Sequence, residues 1–552
     1  MAGKELVFGI DLGTTYTSVG CAPIDGNGYE GPVKFHPDGV AVNTVVLLRK
    51  MPRNEMPCVW VGRRASERYR RFLSENPDDS GTFVEFAKRN TGVCEDEKLS
   101  RAVEHWSLQD RDYVAQEVHG VFLKALARQI EAQRDLGEIR RVVITHPQNF
   151  SEVSKKATRQ AAELAGLDVL GTINEPDAAA LSYKVEPGLH VIFDFGGGTL
   201  DVVVLKVDDK GNSASIASSG DPFMGGADFD GEMLKYFEEL VRLSYPDFRC
   251  ENEPAYNQRA WIDLARDTKE QLSERESCQV SVPVLTLPGV QQKPIIIRRD
   301  AFWSRPEVNG FLGKIREKTI QALDGAKVKP EQIGRVVLVG GSTYMPKVRD
   351  LLREIFVRKE LDCGIDPIIA VACGAAAYAR ILASERSTAR RAQLEMPDDR
   401  PTGHISKGLG ILVFDRDRGC EVVKLLIRPN SKTPMTQEQT FRMRESGRVR
   451  LEIDVYETNP GWDRPDADRL DPRDCPFVGT IEFDAPRPLE AQHPLKVAIS
   501  VDMGGTVSVI LNDPELGAPK TARLRGPGVV DEIDQNLGER RSHIASLCYD
   551  AD

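Results

Sequence analysis

Two carboxylates flank a triple-glycine turn in Val191-Ile-Phe-Asp-Phe-Gly-Gly-Gly-Thr-Leu-Asp-Val-Val-Val-Leu205. An apolar strand runs into Asp194, the turn holds Gly196, Gly197, Gly198 and Thr199, and a second strand leaves through Asp201. Glycine lets a backbone fold tightly around a phosphate chain while its N–H groups point inward. Carboxylates at both ends of such a turn can hold a hydrated metal ion or orient a water molecule. A hairpin whose glycines serve turn geometry alone has the same composition. The segment Phe8-Gly-Ile-Asp-Leu-Gly-Thr-Thr-Tyr16 is a near-copy, with Asp11, Gly13, Thr14 and Thr15 in corresponding places. Two strand–Asp–Gly–Thr turns in one chain predict two similar lobes closing on one polyphosphate from opposite sides.

The elements that must position these turns follow from the patterning. Residues 1–386 alternate strand-like and helix-like runs, the pattern of an α/β protein. Arg141-Val-Val-Ile-Thr145 precedes a helical run over Val153–Ala165, and Arg335-Val-Val-Leu-Val339 precedes another over Lys347–Phe356. Over 387–404 the composition shifts to Ser, Arg, Glu, Asp and Pro, with Pro397 and Pro401 as breakers, which reads as a solvated linker. Short apolar runs recur between 405 and 526, at Leu409–Phe414, Glu421–Ile427, Val449–Tyr456, Val478–Phe483, Leu495–Val501 and Thr506–Leu511. Strands without intervening helices predict a compact antiparallel β domain. Alternation places Val449, Leu451, Ile453 and Val455 on one face. Asn459–Cys475, rich in Asp, Arg and Pro, reads as a loop. Residues 527–552 read as one short helix, over about 529–542, and a tail.

Composition narrows the function classes. A chain of 552 residues has room for two or three domains. Its net charge of −11 argues against a nucleic-acid partner, which calls for a basic face. No stretch approaches the roughly 18 apolar residues needed to cross a bilayer. Met-Ala-Gly-Lys-Glu passes directly into a strand, as expected without a signal peptide. Ten cysteines without CxxC spacing and eight histidines without a ligand cluster fit a reduced, cytoplasmic compartment.

Several spaced motifs then point one way. Gly9-Ile-Asp-Leu-Gly-Thr-Thr15, Val142-Val-Ile-Thr-His-Pro147, Thr172-Ile-Asn-Glu-Pro-Asp-Ala-Ala-Ala180, Asp194–Asp201, Gly225-Gly-Ala-Asp-Phe-Asp230 and Val337-Leu-Val-Gly-Gly-Ser-Thr343 occur in order. With them the chain resembles the 70-kilodalton heat-shock chaperone family, within the actin-like ATPase superfamily. The likeness covers most of 5–380 and, more weakly, 405–525. It implies a two-lobed actin-like ATPase domain followed by a small all-β domain. The implied cofactors are ATP or ADP and magnesium, with potassium as a further candidate.

By that resemblance Gly13, Thr14, Thr15 and Tyr16 meet the phosphates from one lobe, and Gly196, Gly197, Gly198 and Thr199 from the other. Asp11 and Asp194 would face the metal through water. Lys88, in Phe86-Ala-Lys-Arg-Asn-Thr-Gly92, matches the family's catalytic lysine, with Glu175, Thr199 and Asp201 as further catalytic candidates. Gly225, Gly226, Lys269, Ser273, Gly340, Gly341, Ser342 and Tyr344 match its nucleoside-binding segments. The sequence departs from the family at Glu270 and Tyr344, where basic residues usually sandwich the adenine, and at Ile368, where an aspartate is usual. Lys155 stands where an arginine is usual between the lobes, which keeps charge but loses the planar fork.

In the β domain the resemblance implies a groove for extended apolar peptides, with Phe414, Phe441, Leu451 and Ile453 as pocket candidates. Ordinary sandwich core is the competing explanation for the same four. The linker lacks the family's leucine run, and no helical bundle follows the β domain in this sequence. The resulting expectation is an ATP-hydrolysing chaperone acting on protein or peptide clients, with a J-domain co-chaperone and an exchange factor as implied partners. A nucleotide-dependent scaffold for one dedicated partner is the alternative, and a small-molecule kinase a more remote one.

Overall fold

The computed structural model describes residues 5–25, 30–35, 39–51, 56–76, 81–91, 105–108, 111–133, 136–148, 150–209, 213–283, 294–357, 361, 364–391, 403–405, 407–429, 431–444, 446–459, 468–501, 507–512, 520–523, 533 and 535–549. Two sheets repeat one plan. In the first lobe, Leu6–Leu12 and Tyr16–Pro23 form an antiparallel hairpin, and Arg141–His146 lies parallel to Leu6–Leu12. In the second, Gly188–Phe195 and Leu200–Val207 form the hairpin, and Arg335–Val339 lies parallel to Gly188–Phe195. Asp11 and Asp194 therefore end the same strand of the same motif. These strands read as continuous apolar runs because both faces are covered. Val191 and Phe193 enter the core of the second lobe, while Ile192 faces the other way, into a cluster shared by both sheets.

That shared cluster is built on two crossing helices, Glu175–Tyr183 and Ala370–Arg391. Asn174 caps the first, accepting the Asp177 N–H at 2.8 Å, and Pro176 stands in its opening turn, so the start is fixed at Glu175. The helices meet backbone to backbone. A Cβ built on Gly374 would lie 1.7 Å from the Ala178 carbonyl oxygen. Helix Ala370–Arg391 runs four residues past 387, where the linker was expected to begin, since residues 385–391 contain no helix breaker.

The β domain is a sandwich. One sheet has the order Arg469–Leu470, Cys420–Ile427, Leu409–Asp415, Arg448–Glu457, Phe477–Leu489, and the other Met435–Arg442, Pro494–Val501, Val507–Asn512, Lys520–Arg523. The strand Met435–Arg442 escapes the apolar pattern because it is an edge strand with mostly exposed polar residues. Val153 and Ala157, on helix Glu152–Leu164 of the first lobe, belong to the apolar core of this sandwich. Glu457 closes the junction: its carboxylate accepts the Glu152 N–H at 3.1 Å and the Lys407 ammonium at 2.8 Å.

Of the expected helix at 529–542, residues 533 and 535 are helical, and the helix Leu537–Ser546 ends four residues later than expected; Cys548–Tyr549 then pairs in parallel with Cys58–Val61. Burial explains the later end: Ile544, Leu547 and Tyr549 enter the core of the first lobe, so the helix continues to reach it. This strap lies against the helices Ala115–Glu131 and Glu152–Leu164. Residues 529–532, most of the linker (392–402) and 460–467 of the expected loop lie outside the described residues. Among the described residues no helix is long and apolar enough to cross a membrane.

The helix crossing makes a direct test. Gly374→Ala should lower stability by about 1–3 kcal/mol through overpacking, read as a fall in the urea midpoint. An unchanged midpoint would mean that the helices separate without cost.

Candidate functional site

A cleft of about 720 Å³ lies between the two hairpins. At its floor Lys88 Nζ donates to Glu175 Oε1 at 2.9 Å, and both side chains are buried. Lys88 stands on a short 3₁₀ turn, Ala87–Asn90, entered through Phe86 in the left-handed region at φ 57°. A bulky residue in that region is a strained one, held by its surroundings. Asp11 accepts from Thr145 Oγ1 at 2.9 Å.

Three carboxylates thus share one ammonium. Burial, reinforced by Glu175, raises the Asp11 pKa to about 7 against the pull of Lys88. Burial likewise lifts Asp194 well above the carboxylate range, with Glu175, Asp11 and Asp201 adding to it. For Lys88, burial works against the charge, but Glu175, Asp11 and Asp194 outweigh it and the pKa rises. Such a cluster has capacity for further positive charge. Among the described residues no three His, Cys, Asp or Glu side chains converge to hold a bare metal ion. What Asp11 and Asp194 fit is a hydrated ion such as magnesium, which keeps several waters and takes other ligands from phosphate.

The glycine turns make the walls. A Cβ on Gly197 would stand 1.9 Å from Thr15 Oγ1, so the two turns face each other at contact distance. Thr15 Oγ1 is buried with no hydrogen-bond partner among the described residues. A buried hydroxyl of this kind can donate to an acceptor such as a phosphate oxygen. Gly13, Thr14, Gly196 and Thr199 line the same cleft. Gly198, Gly225 and Asp201 do not line it. Gly225 instead packs under the turn, where a Cβ would come 2.4 Å from the Gly197 and Gly198 backbone, and Asp201 pairs across the hairpin with Asp194.

At the outer end, Tyr16 of the first lobe donates to Glu270 of the second at 3.1 Å, bridging the cleft. Burial raises the pKa of Glu270, against the nearby Lys269 charge and the Tyr16 hydrogen bond. Lys269 pairs with Asp230 at 2.7 Å, Ser342 Oγ donates to the Gly196 carbonyl at 2.8 Å, and Tyr344 donates to Asp366 at 2.6 Å. Gly226, Ser273, Gly340, Gly341 and Ile368 complete this end. Sequence reasoning does not single out Arg266, Asp230 or Arg349, which also line the cleft. Arg266 had a signal: it lies one turn before Lys269 and Glu270 and two before Ser273, on the same helical face. Arg349 carried none, since its guanidinium reaches the cleft by stacking 5.4 Å from the Tyr344 ring centroid.

A family profile described as Hsp70 protein matches residues 69–536. The chain belongs to the Hsp70 family. It is similar to the chaperone protein DnaK of Thermosipho africanus, 30% identical over 97% of this chain and 82% of that protein. It is also similar to the DnaK of Thermotoga maritima, 31% identical over 98% of this chain and 84% of that one. Family membership brings an ATP-dependent chaperone function and the two-lobed ATPase with a β domain expected from the sequence. Hsp70 proteins are ATPases that use magnesium and bind protein clients and co-chaperones.

Of the four pocket candidates in this Hsp70, Leu451 is buried in the sandwich core, and Ile453 and Phe441 pack partly against it. Phe414 is exposed, with the Arg444 guanidinium 4.1 Å from its ring centroid. Leu451 and Ile453 from one sheet and Phe441 from the other thus share one apolar cluster, and Phe414 lies outside it.

The carboxylate surplus sets a pH dependence. Asp11 has a folded pKa of about 7 against an unfolded value of 3.8, so the folded state binds the extra proton and stability falls as pH rises between them. Asp11→Asn removes this cost. Urea unfolding in EDTA without nucleotide should show the variant gaining most over the parent near pH 7.5 and little near pH 4. A gain independent of pH would reject the assignment.

Proposed function

We propose that this Hsp70 hydrolyses ATP in the cleft between its lobes and that the nucleotide state governs the hold of its sandwich on extended apolar protein segments. The observation that carries the reading is the Lys88–Glu175 pair set between Asp11 and Asp194, facing two glycine turns in contact. Magnesium, when bound, neutralises phosphate charge and polarises the bond that breaks. The chain supplies the rest. Asp11 and Asp194 hold the hydrated ion, and Glu175 keeps the Lys88 ammonium at a fixed point, where it stabilises charge developing on a transferring phosphoryl group. The N–H groups of Gly197, Thr14 and Thr15, with the Thr15 hydroxyl, grip the phosphates, and Thr199 stands at their far side. The Gly196 N–H closes the turn on the Thr199 carbonyl at 3.0 Å. No carboxylate has to act as a tuned acid, because positioning and electrostatics carry phosphoryl transfer.

The nucleoside falls at the outer end, where Tyr344 offers a ring backed by Arg349. Glu270, bonded to Tyr16, puts a carboxylate where the family usually has a cation. The reading includes a J-domain co-chaperone and an exchange factor as partners on the strength of family membership. Coupling between cleft and sandwich is assigned to their direct contact at Glu457, Val153 and Ala157, since the linker lacks the apolar run that would dock.

Lys88→Ala should retain ATP binding by calorimetry while single-turnover hydrolysis falls by about a hundredfold or more. An unfolded apolar heptapeptide should stimulate the parent and not the variant. Turnover in the parent that ignores every such peptide would instead favour a scaffold with one dedicated partner.

Base selectivity should also be relaxed. Losing one charge-assisted contact costs about 1.5–3 kcal/mol, so ATP binding should be roughly ten- to a hundredfold weaker than with a basic residue at 270. Calorimetry of parent and Glu270→Arg with ATP and GTP measures this. A parent with a strong ATP preference that Glu270→Arg leaves unchanged would remove residue 270 from base recognition.

A further inference from the structure

We propose that Cys58 and Cys548 form a redox-reversible disulfide that staples the C-terminal strap to the first lobe. The two are direct partners in the parallel pairing of Cys548–Tyr549 with Cys58–Val61. Neighbouring strands lie about 4.7–4.9 Å apart, inside the 4.4–6.8 Å range of Cα separations, roughly, that a disulfide spans. Their side chains share one face of the sheet. Cys58 sits among Val45, Leu47, Trp60 and Phe72, and Cys548 packs against that cluster. Their neighbours Val59 and Tyr549 point through the sheet into the opposite core.

The pairing does not depend on the sulfur atoms to hold it. Arg540 bonds Glu117 at 2.9 Å, the Tyr113 hydroxyl meets His543 Nε2 at 3.0 Å, and Ile544 is fully buried. Strap docking therefore presents Cys548 to Cys58 whatever their oxidation state. Both carry thiols in this structure, Cys58 fully buried and Cys548 partly exposed. That asymmetry sets the order of steps.

The oxidant is a hydroperoxide. The Cys548 thiolate attacks the peroxide oxygen, the O–O bond breaks, and a sulfenic acid and one water result. The Cys58 sulfur then attacks the Cys548 sulfur. An S–S bond forms, the S–O bond breaks, and a second water leaves with the Cys58 proton. Two thiols lose two electrons and one hydrogen peroxide becomes two waters. A dithiol reverses the reaction by exchange. The closed form would tie residues 537–549, and with them the C-terminal end of the sandwich, to the sheet that holds residues 58–61.

The test uses the full chain, hydrogen peroxide as oxidant and dithiothreitol as reductant. After peroxide, the thiol titre should fall by two, and digestion with trypsin under non-reducing conditions should yield peptide 54–63 joined to peptide 542–552. Hydrogen exchange over 537–549 should slow at least tenfold and recover with dithiothreitol. Because Cys58→Ser alters a buried position and could unfold the lobe, Cys548→Ala serves as the blocking variant. It should fold, bind ATP as the parent does, and lose both the joined peptide and the exchange effect. Recovery of Cys58 and Cys548 as separately alkylated or over-oxidised peptides would overturn the proposal. So would a joined peptide that links either cysteine to another partner, or a joined peptide without change in exchange.

Discussion

One ammonium cannot balance three carboxylates at the depth where Lys88 meets Asp11, Glu175 and Asp194. Burial makes each uncompensated charge costly, and the raised pKa of Asp11 registers that cost. Every large element of the ATPase domain serves to impose the arrangement. The two hairpins bring an aspartate each to the floor. The Asn174 cap and Pro176 start a helix at Glu175, and a strained Phe86 turns Lys88 inward. The crossing of Glu175–Tyr183 with Ala370–Arg391, close enough to exclude a methyl at Gly374, fixes the distance between the lobes. A site of this kind is stable only because its scaffold over-determines it, and it gains most when cations and phosphates arrive.

The junction with the β domain is built from a similar economy of charge. The first N–H of a helix has no partner within the helix, and here a carboxylate from another domain fills the place. Glu457 accepts from Glu152, the opening residue of helix Glu152–Leu164, and from Lys407 on its own side. Pro147, Gln148 and Phe150 lie just before this helix, and the Phe150 ring stands 5.9 Å from the Lys88 ammonium. One short stretch of chain therefore joins the sandwich to the floor of the cleft.

Much of this was legible in the sequence. The duplicated Asp–Gly–Thr turns predict two matching lobes, because strand–turn–strand chemistry is local. The alternation over 449–455 holds for Leu451, Ile453 and Val455, while Val449 at the strand's start is exposed. Contacts between distant segments were not legible from pattern alone. Lys88 and Glu175 lie far apart in the chain, and without the family motif Lys88 reads as an ordinary surface lysine and Glu175 as a helix-entry residue before Pro176. Tyr16 and Glu270 meet only because the lobes close. The edge strand Met435–Arg442 lacks alternation because solvent, not a core, faces most of it. The end of the last helix, expected near 542 and found at Ser546, was missed for the converse reason: it falls where the first lobe offers a home for Ile544 and Leu547, and that surface is encoded elsewhere.

The strap also bears on how the protein is made. Ile544, Leu547 and Tyr549 belong to the same apolar core as Phe8 and Val59, so this lobe receives these core residues only after the second lobe and the β domain, which lie between them in the chain, have been made. At roughly 5–20 residues per second, tens of seconds separate the two groups of core residues on the ribosome. Through that interval the edge of Cys58–Val61 lacks its neighbouring strand, and an unpaired edge invites pairing with other chains.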